Sequence, residues 1–378
     1  MKQRRVTAAV ARNPGAPFSI EGLFLNGPAP NEVLIRIAAT GLCHTDLTVK
    51  DAPIPPALPA VLGHEGAGIV EAIGPAAQEE APELKIGDRV VLSFASCGVC
   101  PSCHASEPGY CNDGAQLNYA GRRADGECAL HDGAIPIASH FFGQSSFATY
   151  ACVYPRNIIP APSHVPIELL GPFGCSILTG AGTVMKALDA QPGSSLLITG
   201  GGAVGLSAVM AGKLRDCATI IVSDPIAARR AMAKDLGATH VHNPEDGPLR
   251  DAVYGITQRG VDRALDTTGR PDVLEACANV LAKRGALASL GIASGKAQAF
   301  QVKINALMSL GRRVMGVIEG DSDPQELIPL LLEHHRRGAF PFEKLITNYP
   351  LEEINQAVAD QAAGLCVKPV LVMPNASS

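Results

Sequence analysis

The sequence predicts an α/β protein of two domains, a mostly antiparallel β domain followed by a doubly wound parallel sheet. Three observations carry that prediction. The chain has 378 residues, enough for two to three domains with sizeable cores. Its first half runs in short β-like stretches punctuated by glycine and proline, whereas from about Ser176 strand-like and helix-like stretches alternate. Its composition, 47% hydrophobic and 18% charged, is that of an ordinary globular protein.

In the first half, Glu32-Val-Leu-Ile-Arg-Ile37 alternates roughly between polar and apolar positions, and Asp88-Arg-Val-Val-Leu92 is a second strand candidate. In the second half, Ser195-Leu-Leu-Ile-Thr199 reads as a buried strand, followed by a glycine cluster and a helix to about Leu214. Thr219-Ile-Ile-Val-Ser223 and a helix from Ala227 to Leu236 repeat the unit. Asp262-Arg-Ala-Leu-Asp266 and Ala286-Leu-Ala-Ser-Leu290 continue it. From about Gly316 the texture becomes mixed again, so the end of the chain is expected to rejoin the first domain. The expected boundaries are 1–175 completed by 319–378, and 176–318.

A net charge of −5, no tryptophan and 4% aromatics argue against a nucleic-acid partner, which needs a basic face and stacking platforms. Met1-Lys2-Gln3-Arg4-Arg5 resembles the start of a signal peptide, but the apolar run Val6 to Ala11 behind it is too short for one. The uncharged stretch Gly193 to Gly212 has the length of a membrane span, yet its glycines and hydroxyls suit phosphate binding better. A cytoplasmic protein with no membrane partner is expected. Asn375-Ala-Ser377 matches a glycosylation acceptor, without meaning in that compartment.

Eleven cysteines are many for a reduced chain, and their spacing gives them meaning. Cys97, Cys100 and Cys103 recur every three residues and Cys111 follows eight later. Thiols so spaced fall on tight turns and close a tetrahedral shell around zinc, which makes the site structural. Chance clustering or disulfides are the plain alternatives, and His104 within the cluster is expected to be solvated. A second, dispersed set is Cys43, His64 and Cys175. Two thiolates and one imidazole leave a coordination position open for water or an alcohol oxygen, as a catalytic zinc requires. Third, Gly200-Gly201-Gly202-Ala203-Val204-Gly205 follows the strand ending at Thr199. Gly200 permits a tight turn, Gly202 close approach of a pyrophosphate, and Gly205 close packing of the helix. Asp224 ends the next strand, where a carboxylate accepts the adenosine ribose hydroxyls and favours NAD over NADP.

With these sites in order, nearly the whole chain resembles the zinc-containing medium-chain dehydrogenase/reductase family. The resemblance rests on Gly63-His-Glu-x2-Gly-x5-Gly74, Gly171-Pro-Phe-Gly-Cys175, Gly201-Gly-Ala-Val-Gly205 and Leu236-Gly-Ala-Thr239, together with the four-cysteine lobe. Cys43-His-Thr-Asp46, Phe141-Phe-Gly-Gln-Ser-Ser-Phe-Ala-Thr149 and Leu170-Gly171-Pro172 look like the aryl-alcohol (benzyl alcohol) dehydrogenase branch. The resemblance implies a GroES-like catalytic domain and a Rossmann cofactor domain. It also implies two zinc ions per chain, the two-cysteine, one-histidine set being the one known for alcohol dehydrogenases. The implied reaction is reversible, NAD-dependent oxidation of primary benzyl-, cinnamyl- or geraniol-like alcohols to aldehydes. Thr45 would relay the alcohol proton, Asp46 would orient His64, and Glu65 would sit behind the metal. His44 and Lys368 would contact the pyrophosphate, and Arg229 would lie near the adenosine ribose. Thr179, Leu290 and Ile292 would border the nicotinamide, and Thr267 would also contact the cofactor.

Taken singly, Asp46 is equally a turn residue and Lys368 a solvated charge. Many relatives carry a histidine three residues after the relay hydroxyl, where this chain has Thr48, so lower activity at neutral than at alkaline pH is expected. An aliphatic or polyol dehydrogenase and a catalytically inactive zinc-structured binding protein remain as alternatives, and the family implies a homodimer or homotetramer.

Overall fold

The computed structural model describes residues 3–52, 54–293 and 298–374, so Asn375-Ala-Ser377 lies outside the described residues. The chain divides into two compact units. One comprises Met1–Cys175, Asp323–Pro329 and Ile346–Ser378, the other Ser176–Ser322 and Leu330–Leu345.

The first unit is built on two sheets whose pairings are almost all antiparallel. Its central strand, Val33–Gly41, lies between Gly66–Ile73 and the C-terminal strand Lys368–Val372, with Val370 opposite Gly41. That pairing returns the end of the chain to the first domain. Eight of the nine residues of Val33–Gly41 are buried, so the strand is apolar on both faces and its alternation is faint.

The second unit holds a six-stranded parallel sheet. Across it run His240–His242, Thr219–Ser223, Ser195–Thr199, Val261–Asp266, Leu281–Ser289 and Arg313–Gly316, the 3-2-1-4-5-6 order of a doubly wound fold. Leu197, Ile221, Ala264 and Leu287 form its core, each removed from water. The strand order reverses beside Ser195–Thr199, and Thr199 there faces Ser223 on one side and Asp266 on the other. Ligands of such sheets bind outside the carboxyl ends of the strands at that reversal. The turn into the helix Ala203–Leu214 requires glycine twice. Gly200 has φ +93°, and a Cβ on Gly205 would lie 1.9 Å from the Gly200 carbonyl oxygen.

The structure corrects one expected boundary, because residues 319–322 and 330–345 belong to the second unit and not to the first. Thr179 Oγ1 donates to Glu319 Oε2 (3.2 Å), Lys344 pairs with Asp235 (2.6 Å), and Phe340, Phe342 and Leu345 are buried. These contacts hold the segment where its sequence texture suggested the other domain. Among the described residues, no helix is long and apolar enough to cross a membrane.

Candidate active site and metal centres

In the first unit, donor atoms of Cys43, His64, Glu65 and Cys175 lie within 4.8 Å of one another. Cys43 sits where the strand Val33–Gly41 gives way to the helix His44–Asp51, His64 and Glu65 precede the strand Gly66–Ile73, and Cys175 follows the turn Gly171–Gly174. The helix brings Asp46 beneath them. Its Oδ2 accepts the Cys43 N–H (3.0 Å), and its Oδ1 accepts the Gly63 N–H (3.0 Å) and lies 3.0 Å from His64 Nδ1. One carboxylate therefore fixes the backbone of one ligand and the ring of another. His64 is fully buried, and its Nε2 has no hydrogen-bond partner.

The electrostatics of this cluster call for positive charge at its centre. Hydrogen bonding with Cys175 holds the Cys43 thiol well below its ordinary pKa against the opposing effect of burial. Burial disfavours a charged His64, but Asp46 and Cys43 outweigh it and raise the imidazole well above its usual value. Two thiols and an imidazole with a buried nitrogen make a three-donor set that suits zinc with one position to spare, while the Glu65 carboxylate is paired elsewhere.

Glu65 and Lys368 form a buried ion pair (2.6 Å), in which Lys368 Nζ also donates to the Leu42 carbonyl (3.0 Å). Burial raises the Glu65 pKa; it would lower that of Lys368, but the carboxylate of Glu65 more than offsets it. Lys368, expected at a pyrophosphate, is 2% exposed and bound to Glu65 in this structure. The cause is the interior carboxylate, which demands a cation. Thr45 Oγ1 lies 3.7 Å from Cys43 Sγ, and His44 is exposed at the start of the helix. Thr48 Oγ1 donates to the His44 carbonyl (3.0 Å).

Sequence reasoning missed the residues that clasp His64 from the other side. Gln144 Nε2 donates to the His64 and Ser93 carbonyls (2.9 and 3.1 Å), and its Oε1 accepts the Gly66 N–H (3.0 Å). The Phe142 ring stacks on the imidazole at 4.5 Å. These residues sit in a stretch that marked the family branch, but no spacing rule ties them to His64.

The second thiol cluster is Cys97, Cys100, Cys103 and Cys111, again with ligand atoms within 4.8 Å. All eleven cysteines are free in this structure. Backbone N–H groups of Asn112 and Cys103 draw Cys100 down to about 6, whereas burial pushes Cys111 up to about 12. The Cys97 N–H donates to Cys111 Sγ (3.2 Å). Four thiols this close would be stable together as thiolates only around a cation, and the set would leave no open position. His104 is exposed, as expected.

In the second unit, Gly202 caps the helix Ala203–Leu214, and nothing lies within 4 Å of where its Cβ would stand, so the helix N-terminus at Ala203 and Val204 is open to an anion. Asp224 Oδ2 accepts the Gly201 N–H (2.7 Å), its Oδ1 accepts the Ile226 N–H (2.7 Å), and Arg229 stands 3.9 Å away. Thr267 Oγ1 donates to the Thr199 carbonyl (3.0 Å), and the Leu290 N–H donates to the Asp266 carbonyl (2.9 Å). The Ile292 side chain is exposed. Thr179 lies on the helix Ser176–Gly182 of this unit. A glycine turn, an open helix end and a carboxylate at the next strand end suit a dinucleotide.

Comparison with known proteins matches one family model to each half of the chain. The alcohol dehydrogenase GroES-like domain matches residues 29–163, and the zinc-binding dehydrogenase family matches residues 203–333. The chain is 44% identical to a geraniol dehydrogenase of Castellaniella defragrans over 97% of both chains. A benzyl alcohol dehydrogenase structure from Acinetobacter calcoaceticus superposes with a TM-score of 0.93 at 42% identity, covering 99% of this chain and 100% of that one. An alcohol dehydrogenase zinc-binding domain protein from Burkholderia ambifaria gives 0.94 at 48% identity, with coverage of 99% and 100%.

Proposed function

This chain belongs to the zinc-binding alcohol dehydrogenase family, and from that premise we propose that it oxidises primary aryl or allylic alcohols to aldehydes with NAD. The observation that carries the proposal is the convergence of Cys43, His64 and Cys175, with His64 Nε2 bare, in a chain so similar to a geraniol dehydrogenase. These three residues would hold one zinc, and Cys97, Cys100, Cys103 and Cys111 a second. When bound, the first zinc supplies a Lewis acid that acidifies the alcohol, and NAD supplies the hydride acceptor.

The protein's own groups do the rest. Asp46 would hold His64 by its Nδ1 and leave Nε2 for the metal, and Lys368 pairs with the buried Glu65 carboxylate. The Thr45 hydroxyl, beside Cys43, is placed to take the alcohol proton. Thr48 cannot act as the next base, because its hydroxyl is bonded to the His44 carbonyl and is not a base near neutral pH, so the proton passes to water. Gly200, Gly202 and Gly205 with the helix end would seat the pyrophosphate, while Asp224 would accept the ribose hydroxyls and repel a 2′-phosphate.

Free thiols throughout fit a reducing cytoplasm. We also propose a homo-oligomer joined through the second unit. The strand Arg313–Gly316 ends its sheet with an unpaired edge, and Ile304, Met308 and Ile318 near it in sequence are 80%, 75% and 52% exposed.

The test is NADH formation from benzyl, cinnamyl, geranyl, ethyl and polyol substrates, with zinc counted on the same preparation. Fastest turnover of the conjugated alcohols, with two zinc ions per chain, is the expected result. Preference for ethanol or a polyol would move the enzyme to the aliphatic alternative. Two zinc ions without turnover would leave a binding protein.

A further inference from the structure

The four-cysteine lobe takes no part in the chemistry proposed above, yet packed rings join it to the imidazole at the centre of that chemistry. Three residues after Cys111 begins the helix Gly114–Tyr119. Asn118 on this helix is buried; its Oδ1 accepts the Ala95 N–H (2.8 Å), and its Nδ2 donates to the Ala95 and Gly114 carbonyls (2.9 and 2.8 Å). Ala95 stands two residues before Cys97, whose own N–H donates to Cys111 Sγ. The helix is thus tied to both ends of the lobe.

Its last residue, Tyr119, sets its ring edge-on against Phe142 (5.2 Å, 66°) and Phe141 (6.0 Å, 74°). Phe142 stacks on His64 (4.5 Å, 29°), and Phe141 meets the same imidazole edge-on (5.6 Å, 89°). The segment carrying both phenylalanines is strained, with His140, Phe142 and Ser145 at φ values of +63°, +51° and +52°. Such a segment persists only where its surroundings impose it. Gln144 and Ser145 hold it to the backbone of Val61 to Gly66, and Tyr119 packs on it from the helix that follows the lobe.

We infer that Tyr119 is a positioning residue that couples the four-cysteine lobe to the first metal centre. An ordered lobe seats Tyr119, Tyr119 seats Phe142, and Phe142 keeps the His64 ring aligned with the metal. The inference rests on the proposed role of Cys43, His64 and Cys175 as zinc ligands. Contiguous packing supplies a route, but coupling means that disturbing one end changes the other, and that is measurable.

The experiment follows metal loss from the first site of the holoenzyme to a chromogenic chelator, and the visible bands of the enzyme with Co2+ exchanged into that site. The variants are Tyr119→Phe, Tyr119→Leu, Cys103→Ser and the Tyr119→Leu/Cys103→Ser double. Tyr119→Leu and Cys103→Ser are each expected to speed metal loss about tenfold, as loss of a group supporting a ligand typically does, and to shift the cobalt bands. Tyr119→Phe keeps the ring and behaves as the parent. The double variant is no worse than the worse single one. Unchanged release and spectrum in Tyr119→Leu, or independent effects that multiply in the double, would overturn the inference. If Cys103→Ser does not fold, the contrast between Tyr119→Leu and Tyr119→Phe decides alone. A parent enzyme that retains zinc only in the lobe would sink the proposed function itself, and the coupling with it.

Discussion

The two thiol-rich centres of the first unit are assembled in opposite ways. The lobe takes all its ligands from Cys97 to Cys111, on turns whose backbone N–H groups also serve the sulfurs. The first centre gathers Cys43, His64 and Cys175 from three separate junctions of the fold, with His64 and Cys175 buried and Cys43 half-buried. A contiguous site can form wherever its short segment folds. A dispersed one exists only once the sheets are in place, and it needs partners such as Asp46, Gln144 and Lys368 to orient ligands that no local turn constrains. The difference separates a cluster whose geometry is local from one whose geometry is set by the whole domain.

The sharpest way to break this contrast is to remove a ligand from each. Cys43→Ser is expected to lower kcat/KM by about a thousandfold, since a Lewis acid contributes several kcal/mol to charge stabilisation. It should release one zinc while the lobe keeps its own. Steady-state kinetics and zinc analysis check both, and loss of both metals at once would show that the centres are not separate. Next in size is Asp46→Asn. The amide keeps the shape of the side chain but gives up the charge facing His64 Nδ1, for an expected 10–100-fold loss of metal affinity or activity. A parent-like metal affinity in this variant would mean that the fold alone orients His64.

The same contrast explains what was legible in the sequence. The lobe is readable from spacing alone, because its geometry is local. The parallel sheet is readable too. Ser195–Thr199 and Thr219–Ser223 fall on the expected residues, since buried strands followed by a glycine turn and a helix carry a strong local signal. The dispersed trio needed motif context. The pairing of Lys368 with Glu65 carried no signal, because a lysine in a sequence shows no partner until that carboxylate is known to be interior. Gln144 and Phe142 had no signal at all, for their partner is the backbone and ring of a residue remote in sequence. The boundary near residue 319 failed for a related reason, as the Thr179 to Glu319 contact is a tertiary one.

Smaller effects test whether burial, rather than charge pairing as such, is what gives these groups their weight. Glu32 and Glu333 make the comparison, since both carboxyls sit near a pKa of about 2. Glu32 is buried; burial pushes it up, but His140 Nε2 (2.8 Å) and Arg123 Nη2 (2.8 Å) more than reverse this. Its folded pKa lies below the ordinary 4.5, so its contribution is full above about pH 4.5 and is lost as pH falls towards 2. A separation of that size corresponds to about 3 kcal/mol. Glu32→Gln should therefore lower the denaturant midpoint clearly at pH 7, and the gap to the parent should narrow as pH drops below 4.5. A gap that stays constant would show that shape, and not charge, is what Glu32 supplies.

Glu333 owes the same low value to Arg336 and Arg337 on the exposed end of the helix Pro324–Arg336, where solvent screens the charges and three long side chains must be ordered to meet. Glu333→Gln is accordingly expected to leave Tm unchanged at pH 7 and at pH 4. A clear drop in Tm at pH 7 that disappears at high salt would mean that the paired arginines stabilise the helix end despite their exposure. Burial would then no longer be what divides the strong ion pairs of this protein from the weak ones.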